Sequence, residues 1–165
     1  MGRSGSDGSA AALCWKRPAA PTRAPCISSR CDALGRLFPL TAEALHAPDP
    51  VAEDAVDAFL KRYEQLVLTI QEELFEAVAT LGGEDIRSLA RREVTELMAR
   101  LGVLPAADRF RTVVAIRNRI THVYPDDPDR QARNLNEAYA TVPELLAAYE
   151  SVRRYLERRL SSIGS

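Results

Sequence analysis

Apolar residues recur at intervals of three and four along most of this chain and divide it into helices separated by Gly and Pro. Asp49-Pro50 predicts a helix start, with Asp as N-cap and Pro in the first turn. The apolar face behind it is carried by Val56, Phe59, Leu60, Tyr63, Leu66, Val67, Ile70, Leu74, Phe75 and Val78, and Gly82-Gly83 closes the helix. A second segment, Glu84 to Leu101, has Ile86, Leu89, Val94, Leu97, Met98 and Leu101 at helical spacing, with a break expected near Ser88 and an end at Gly102 before Pro105. A third starts near Ala106, carries Phe110, Val113, Val114, Ile116 and Ile120, and is stopped by Pro125. The fourth, from about Asp129 to Leu160, contains Leu135, Tyr139, Leu145, Leu146, Tyr149, Val152, Tyr155 and Leu156, and Pro143 is expected to kink or split it.

No segment alternates with the period of two that a half-buried strand requires. Long helices joined by short Gly/Pro loops predict an all-α fold, an antiparallel four-helix bundle, with a short extra helix at Thr41 to His46. The chain has 165 residues, 46% of them hydrophobic and 27% charged, enough for one domain with a modest core. No apolar run reaches the roughly 18 residues of a membrane span, so a soluble protein is expected.

Charge separates the ends of the chain. Residues 1–36 hold six basic side chains (Arg3, Lys16, Arg17, Arg23, Arg30, Arg36) against Asp7 and Asp32, a net of +4. Residues 37–165 hold 16 basic and 21 acidic residues, a net of −5. An acidic body lacks the broad basic face of a dedicated nucleic-acid binder, so a nucleic-acid role must be local or rest on a few arginines brought together by assembly. The first 36 residues are rich in Gly, Ser, Ala, Pro and Arg without helical or strand period, which predicts a disordered basic extension before a helical body at 37–165. The apolar stretch AAALCW is interrupted by Lys16 and Arg17 and is too short for a secretory signal; the Arg-rich, acid-poor composition leaves an organellar transit peptide as the alternative to a plain tail. Cys14, Cys26 and Cys31 all lie in this segment with no histidine at finger spacing, so no metal site is expected there. A cysteine-free body suits the reducing cytoplasm.

The stretch IRNRITHVYPDD, residues 116–127, carries the candidate chemistry and one of the two histidines. Arg117 falls within the third helix, and His122 and Tyr124 fall at its mouth, where Tyr124 precedes a proline and is pushed out of helical geometry. Five residues correspond to about 140° of rotation, so Arg117 and His122 do not share one helical face. The reach of arginine, or a partner chain, must unite them. Cleavage of RNA by its own 2′-hydroxyl needs a group that moves protons near neutral pH and a cation for the charge developing on the phosphate. Histidine supplies the first and the arginine fork supplies the second without a metal. One histidine per chain is few, but two third helices paired across a twofold axis would bring two of each residue into one cleft.

The run Arg117-Asn118-Arg119-Ile120-Thr121-His122-Val123-Tyr124 resembles the R-x-x-x-x-H-x-Y motif of HEPN-domain toxins of the HepT type, including the asparagine directly after the arginine. The resemblance covers the helical layout from about Leu37 to Leu160. It implies an all-α homodimer with a metal-independent ribonuclease site of Arg117 and His122 at the dimer interface, needing no cofactor. It further implies an MNT-type nucleotidyltransferase antitoxin as partner, which transfers AMP from ATP to the motif tyrosine, here Tyr124. Asn118 would support the site, and RNA would be the substrate. The same family contains members that have lost activity, which implies the alternative of a non-catalytic helical module that binds a nucleotidyltransferase and presents nucleotide or substrate to it.

Other residues invite plainer readings. His122 could be a favourable charge at a helix C-terminus, Tyr124 an aromatic that closes the bundle end and Asn118 an ordinary surface residue. Arg119 reads as surface charge, and His46 beside Pro48 as incidental. The cluster Arg153, Arg154, Arg158 and Arg159 reads as a solvated helix face, and Tyr63, Tyr139, Tyr149 and Tyr155 as core or interface residues.

Overall fold

Asp49 sits in extended backbone ahead of Pro50, whose fixed φ and missing N–H suit the first turn of a helix, and a helix begins there. In the computed structural model, which describes residues 34–121 and 127–163, every regular element is helical. In chain order these are α1 (Ala42–His46), α2 (Pro50–Leu68), a π-helical segment (Thr69–Leu74), α3 (Phe75–Gly82), α4 (Arg91–Arg100), α5 (Ala107–Ile120), α6 (Pro128–Ala140) and α7 (Val142–Ile163). The long first helix of the sequence reading is thus α2, the π segment and α3 in series. In the π segment a hydrogen bond runs from the Phe75 N–H to the Ile70 carbonyl, spanning five residues rather than four. The wider turn keeps both Ile70 and Phe75 buried although they are five residues apart. The helical run ends with α3 at Gly83, whose φ of 72° is left-handed, while the Glu84 N–H closes on the Ala79 carbonyl at 2.9 Å.

Two predicted helices divide differently from their sequence spacing. Residues 84–90 are not helical: the Asp85 carboxylate accepts from the Arg87 backbone N–H at 3.1 Å and from its guanidinium at 2.9 and 3.0 Å, which holds a turn instead. That pairing, led by the Arg87 side chain, pulls the Asp85 carboxyl down to about 2. Helix α4 then starts after Ala90, where the Glu93 carboxylate accepts from the Ala90 N–H at 2.7 Å; alanine has no acceptor to complete the box. The last segment splits at Thr141, and Pro143 occupies the first turn of α7, where its missing N–H leaves no helical bond broken. The N-cap of the short helix α1 is Thr41, whose hydroxyl accepts from the Ala44 N–H at 3.3 Å.

The main core gathers Phe59, Tyr63, Val67, Ile70, Phe75, Val78, Met98, Phe110, Val113, Ile116, Leu145 and Val152 from α2, the π segment, α3, α4, α5 and α7. A smaller cluster of Leu40, Val56 and Leu135 holds the segment before α1 against α2 and α6. The Asn136 side-chain amide clamps Leu40, accepting from its N–H at 2.7 Å and donating to its carbonyl at 2.9 Å. Phe38 stacks on Tyr139 with ring centroids 4.2 Å apart. Leu34, within the stretch that composition sets apart as residues 1–36, packs against the main core. Residues 1–33, the three cysteines included, lie outside the described residues. None of the described helices is long and apolar enough to cross a membrane.

Of the aromatic residues read as core, Tyr63 is buried and Tyr139, Tyr149 and Tyr155 are half-buried. The Tyr63 hydroxyl lies 2.8 Å from the Thr141 hydroxyl and donates at 3.5 Å to the Val113 carbonyl, tying α2 to α5 and to the α6–α7 junction. Burial pushes the Tyr63 phenol above its usual value, the Thr141 hydrogen bond opposes this, and the charge of Glu144 adds to it. A pKa raised in the folded state means that the unfolded chain loses this proton first. The stability linked to Tyr63 is therefore intact below pH 10, the ordinary value of the phenol, and is lost as pH rises through the folded value. Urea melts from about pH 9 to about pH 11 will show a steeper loss of stability in the wild type than in Tyr63→Phe, which itself costs about 1 kcal/mol at neutral pH.

Candidate functional site

Helix α5 positions the candidate chemistry. Its buried stripe is Phe110, Val113 and Ile116, and Arg117 follows on the half-buried flank, three and four residues after Val114 and Val113. Asn118 and Arg119 fall on the exposed side. The helix closes at Thr121, whose N–H donates to the Arg117 carbonyl at 3.2 Å and whose hydroxyl donates to the Asn118 carbonyl at 2.9 Å. The chain re-enters a helix at Pro128, with the Asp127 carboxylate accepting from the Arg130 N–H at 2.9 Å as N-cap. Between these capped ends run residues 122–126. His122 and Tyr124, predicted as catalytic residue and AMP acceptor, lie outside the described residues.

Arg117 is thus the described half of the predicted pair. Its terminal Nη2 donates to the Gln71 side-chain oxygen at 3.5 Å, across from α5 to the π segment. Its Nε is buried without a hydrogen-bond partner among the described residues. A guanidinium carries five N–H donors, and leaving one of them buried and unmade costs stability. The structure therefore separates the neighbours that the motif sets side by side: Arg117 is half-buried against the π segment, and Asn118 is exposed. Arg119 forms an ion pair with Glu137 of α6, both side chains about half exposed, in keeping with its reading as surface charge.

Gln71 also lines a groove of about 270 Å³ between the π segment, α3, the 86–89 turn and the start of α4. Its walls include Phe75, Ile86, Leu89 and Val94, and on its rim Arg91 pairs with Glu72 at 2.9 Å. Nothing in the sequence singles out Gln71. It belongs to no spacing pattern, and it meets α5 only through the fold. Among the described residues no three His, Cys, Asp or Glu side chains come together to hold a metal ion.

The remaining candidates resolve into ordinary surface features. His46 is exposed in the last turn of α1. Arg153 is paired with Glu150 and Glu157 at 2.9 and 2.7 Å, and Arg159 donates to the Tyr155 hydroxyl at 3.3 Å with its guanidinium 5.7 Å from that ring. These contacts run along α7 itself, the pattern of a solvated helix face.

Comparison with protein-family models, with curated proteins and with solved structures gave no match.

The two arginines of this helix end predict opposite outcomes. Arg117→Met keeps the length of the side chain and removes the buried Nε–H, unpaired among the described residues, so its unfolding free energy from urea melts will equal or exceed that of the wild type, by up to about 1 kcal/mol. Arg119→Ala breaks an exposed ion pair and will lose under about 1 kcal/mol by the same measurement.

Proposed function

We propose that this protein is the toxin of a HEPN/MNT toxin–antitoxin pair, a metal-independent endoribonuclease whose site combines Arg117 and His122. The observation that carries the reading is Arg117 itself, half-buried in the last turn of α5 with an Nε that has no partner among the described residues, five residues ahead of the histidine of an R-x-x-x-x-H-x-Y motif. An arginine kept there at a cost to stability fits a functional demand better than a structural one. The all-helical fold agrees with the bundle that the motif implies. In this reading the finer arrangement is an antiparallel four-helix bundle of the HEPN-like kind, made of α2 to α3, α4, α5 and the α6–α7 pair.

The chemistry requires two chains. With α5 helices paired across a twofold axis, the one shared cleft contains two histidines and two arginines, one of each from each chain. One His122 takes the proton from a 2′-hydroxyl, whose oxygen attacks the adjacent phosphorus. The bond from phosphorus to the 5′-oxygen breaks, and the second His122 returns a proton to that oxygen. The products are a 2′,3′-cyclic phosphate and a 5′-hydroxyl. Arg117 faces the charge that builds on the non-bridging oxygens, and Asn118, exposed beside it, supports the site from the solvent side.

Silencing falls on Tyr124. The nucleotidyltransferase partner moves AMP from ATP to its phenol: the new bond joins the tyrosine oxygen to the α-phosphorus, and pyrophosphate leaves. A phosphate ester two residues from His122 places negative charge and bulk where RNA must enter, which blocks the cleft by repulsion and by volume.

Expression of the wild type and of His122→Ala from a tightly controlled promoter, without any partner, tests this reading. Growth arrest with fragmented RNA is expected from the wild type alone, with fragments ending in cyclic phosphate. Equal growth and intact RNA in both, from proteins shown to be folded, dimeric and free of AMP, would instead favour a non-catalytic module that presents substrate to the nucleotidyltransferase. Tyr124→Phe should remain toxic when the nucleotidyltransferase is supplied together with ATP, because it offers no acceptor oxygen.

A further inference from the structure

The contact from Arg117 to Gln71 joins the candidate site to the π turn of the helical framework. Gln71 lies inside the π segment Thr69–Leu74, flanked by the fully buried Ile70 and by Glu72 and Glu73, which are exposed. A single-turn π insertion is costly in hydrogen-bond geometry and recurs at functional positions. Here it places a neutral amide, rather than either neighbouring carboxylate, within reach of the Arg117 guanidinium, at 3.5 Å.

The difference between amide and carboxylate matters for what Arg117 can do. A carboxylate at that place would hold the guanidinium more strongly but would neutralise the charge on which phosphate stabilisation depends. An amide oxygen accepts one N–H and leaves the positive charge whole. Of the five N–H donors, one on Nη2 is then taken by Gln71 and the buried Nε–H is unpartnered among the described residues. Three remain on the terminal nitrogens for a phosphate. We infer that Gln71 is the positioning residue for Arg117: the π turn delivers its amide to orient the guanidinium without discharging it. The catalytic consequence rests on the ribonuclease reading above; the orientation itself does not.

Gln71→Met removes the acceptor at similar length, and Gln71→Glu keeps an acceptor but adds a negative charge. The two variants, made in the full chain, separate positioning from charge. Orientation is measured first in the His122→Ala background by following the Arg117 Nε–H resonance in nitrogen–proton NMR, assigned by its loss in Arg117→Lys. In Gln71→Met that resonance is expected to broaden and exchange faster with solvent, whereas in Gln71→Glu it stays as sharp as in the parent. Cleavage by the otherwise wild-type chain is then expected to lose about tenfold in kcat in Gln71→Met, with KM within about twofold, because an arginine that acts on developing charge contributes in the transition state. Gln71→Glu is expected to lose activity despite its ordered arginine.

An Arg117 resonance unchanged in Gln71→Met overturns the inference, as does a loss of cleavage expressed in KM alone. If the wild type cuts no RNA, the ribonuclease reading falls, and the resonance by itself still decides whether Gln71 orients Arg117. Circular dichroism confirms that both variants are folded; should Gln71→Met fail to fold, the Gln71→Glu pairing of an ordered arginine with lost cleavage remains the deciding observation.

Discussion

The fold depends on a single constraint in its longest helical run: an apolar stripe that must stay on one side over 33 residues from Pro50 to Gly82. Val56, Phe59, Tyr63, Val67 and Ile70 follow a three-and-four spacing and are buried together. The next large core residue is Phe75, five positions on, and in an unbroken α-helix five residues rotate by about 140° away from the stripe. The π turn absorbs the extra residue, so Phe75 is 1% exposed and packs edge-on against Phe110 at 5.6 Å. Packing of α5 and α7 on this run, and with it the main core, follows from that correction of register. The same turn carries Gln71 to Arg117, so an adjustment required by core packing also shapes the polar setting of the candidate site.

Around Arg117 two contributions to stability oppose one another. A positive charge in the last turn of a helix gains a little from the dipole, up to about 1 kcal/mol when exposed. Burial of Nε without a partner among the described residues costs about 1–3 kcal/mol. The connection after it is held at both ends, by Thr121 on the carbonyls of α5 and by the Asp127 cap of α6, which limits how far the backbone on either side of residues 122–126 can drift.

Charge on the rest of the surface is distributed differently. Arg87, Arg91, Arg92, Arg111, Arg119 and Arg153 are each engaged with a carboxylate. Most of these pairs are exposed and contribute little to stability. They offset the positive charge of these six arginines, which leaves Arg117, held by an amide instead, electrostatically distinct from them.

Helical periodicity, the Asp49-Pro50 start, the Gly82-Gly83 stop and the proline that breaks the last segment were legible in the sequence because each acts within a turn or two of its own position. The all-α class followed from them, and the motif around Arg117 was visible for the same reason: its residues are neighbours along the chain. What only the tertiary structure decided are the features that depend on a distant element. The turn at residues 84–90 stands apart from these, since it is held locally by the grip of Asp85 on Arg87, against apolar spacing that fitted either outcome. The widened turn at Thr69–Leu74 is invisible in its own composition, since it exists to keep Phe75 in a core shared with α5. Gln71 meets Arg117 across 46 positions of chain, a contact that no local propensity encodes and that packing of the π segment on α5 creates.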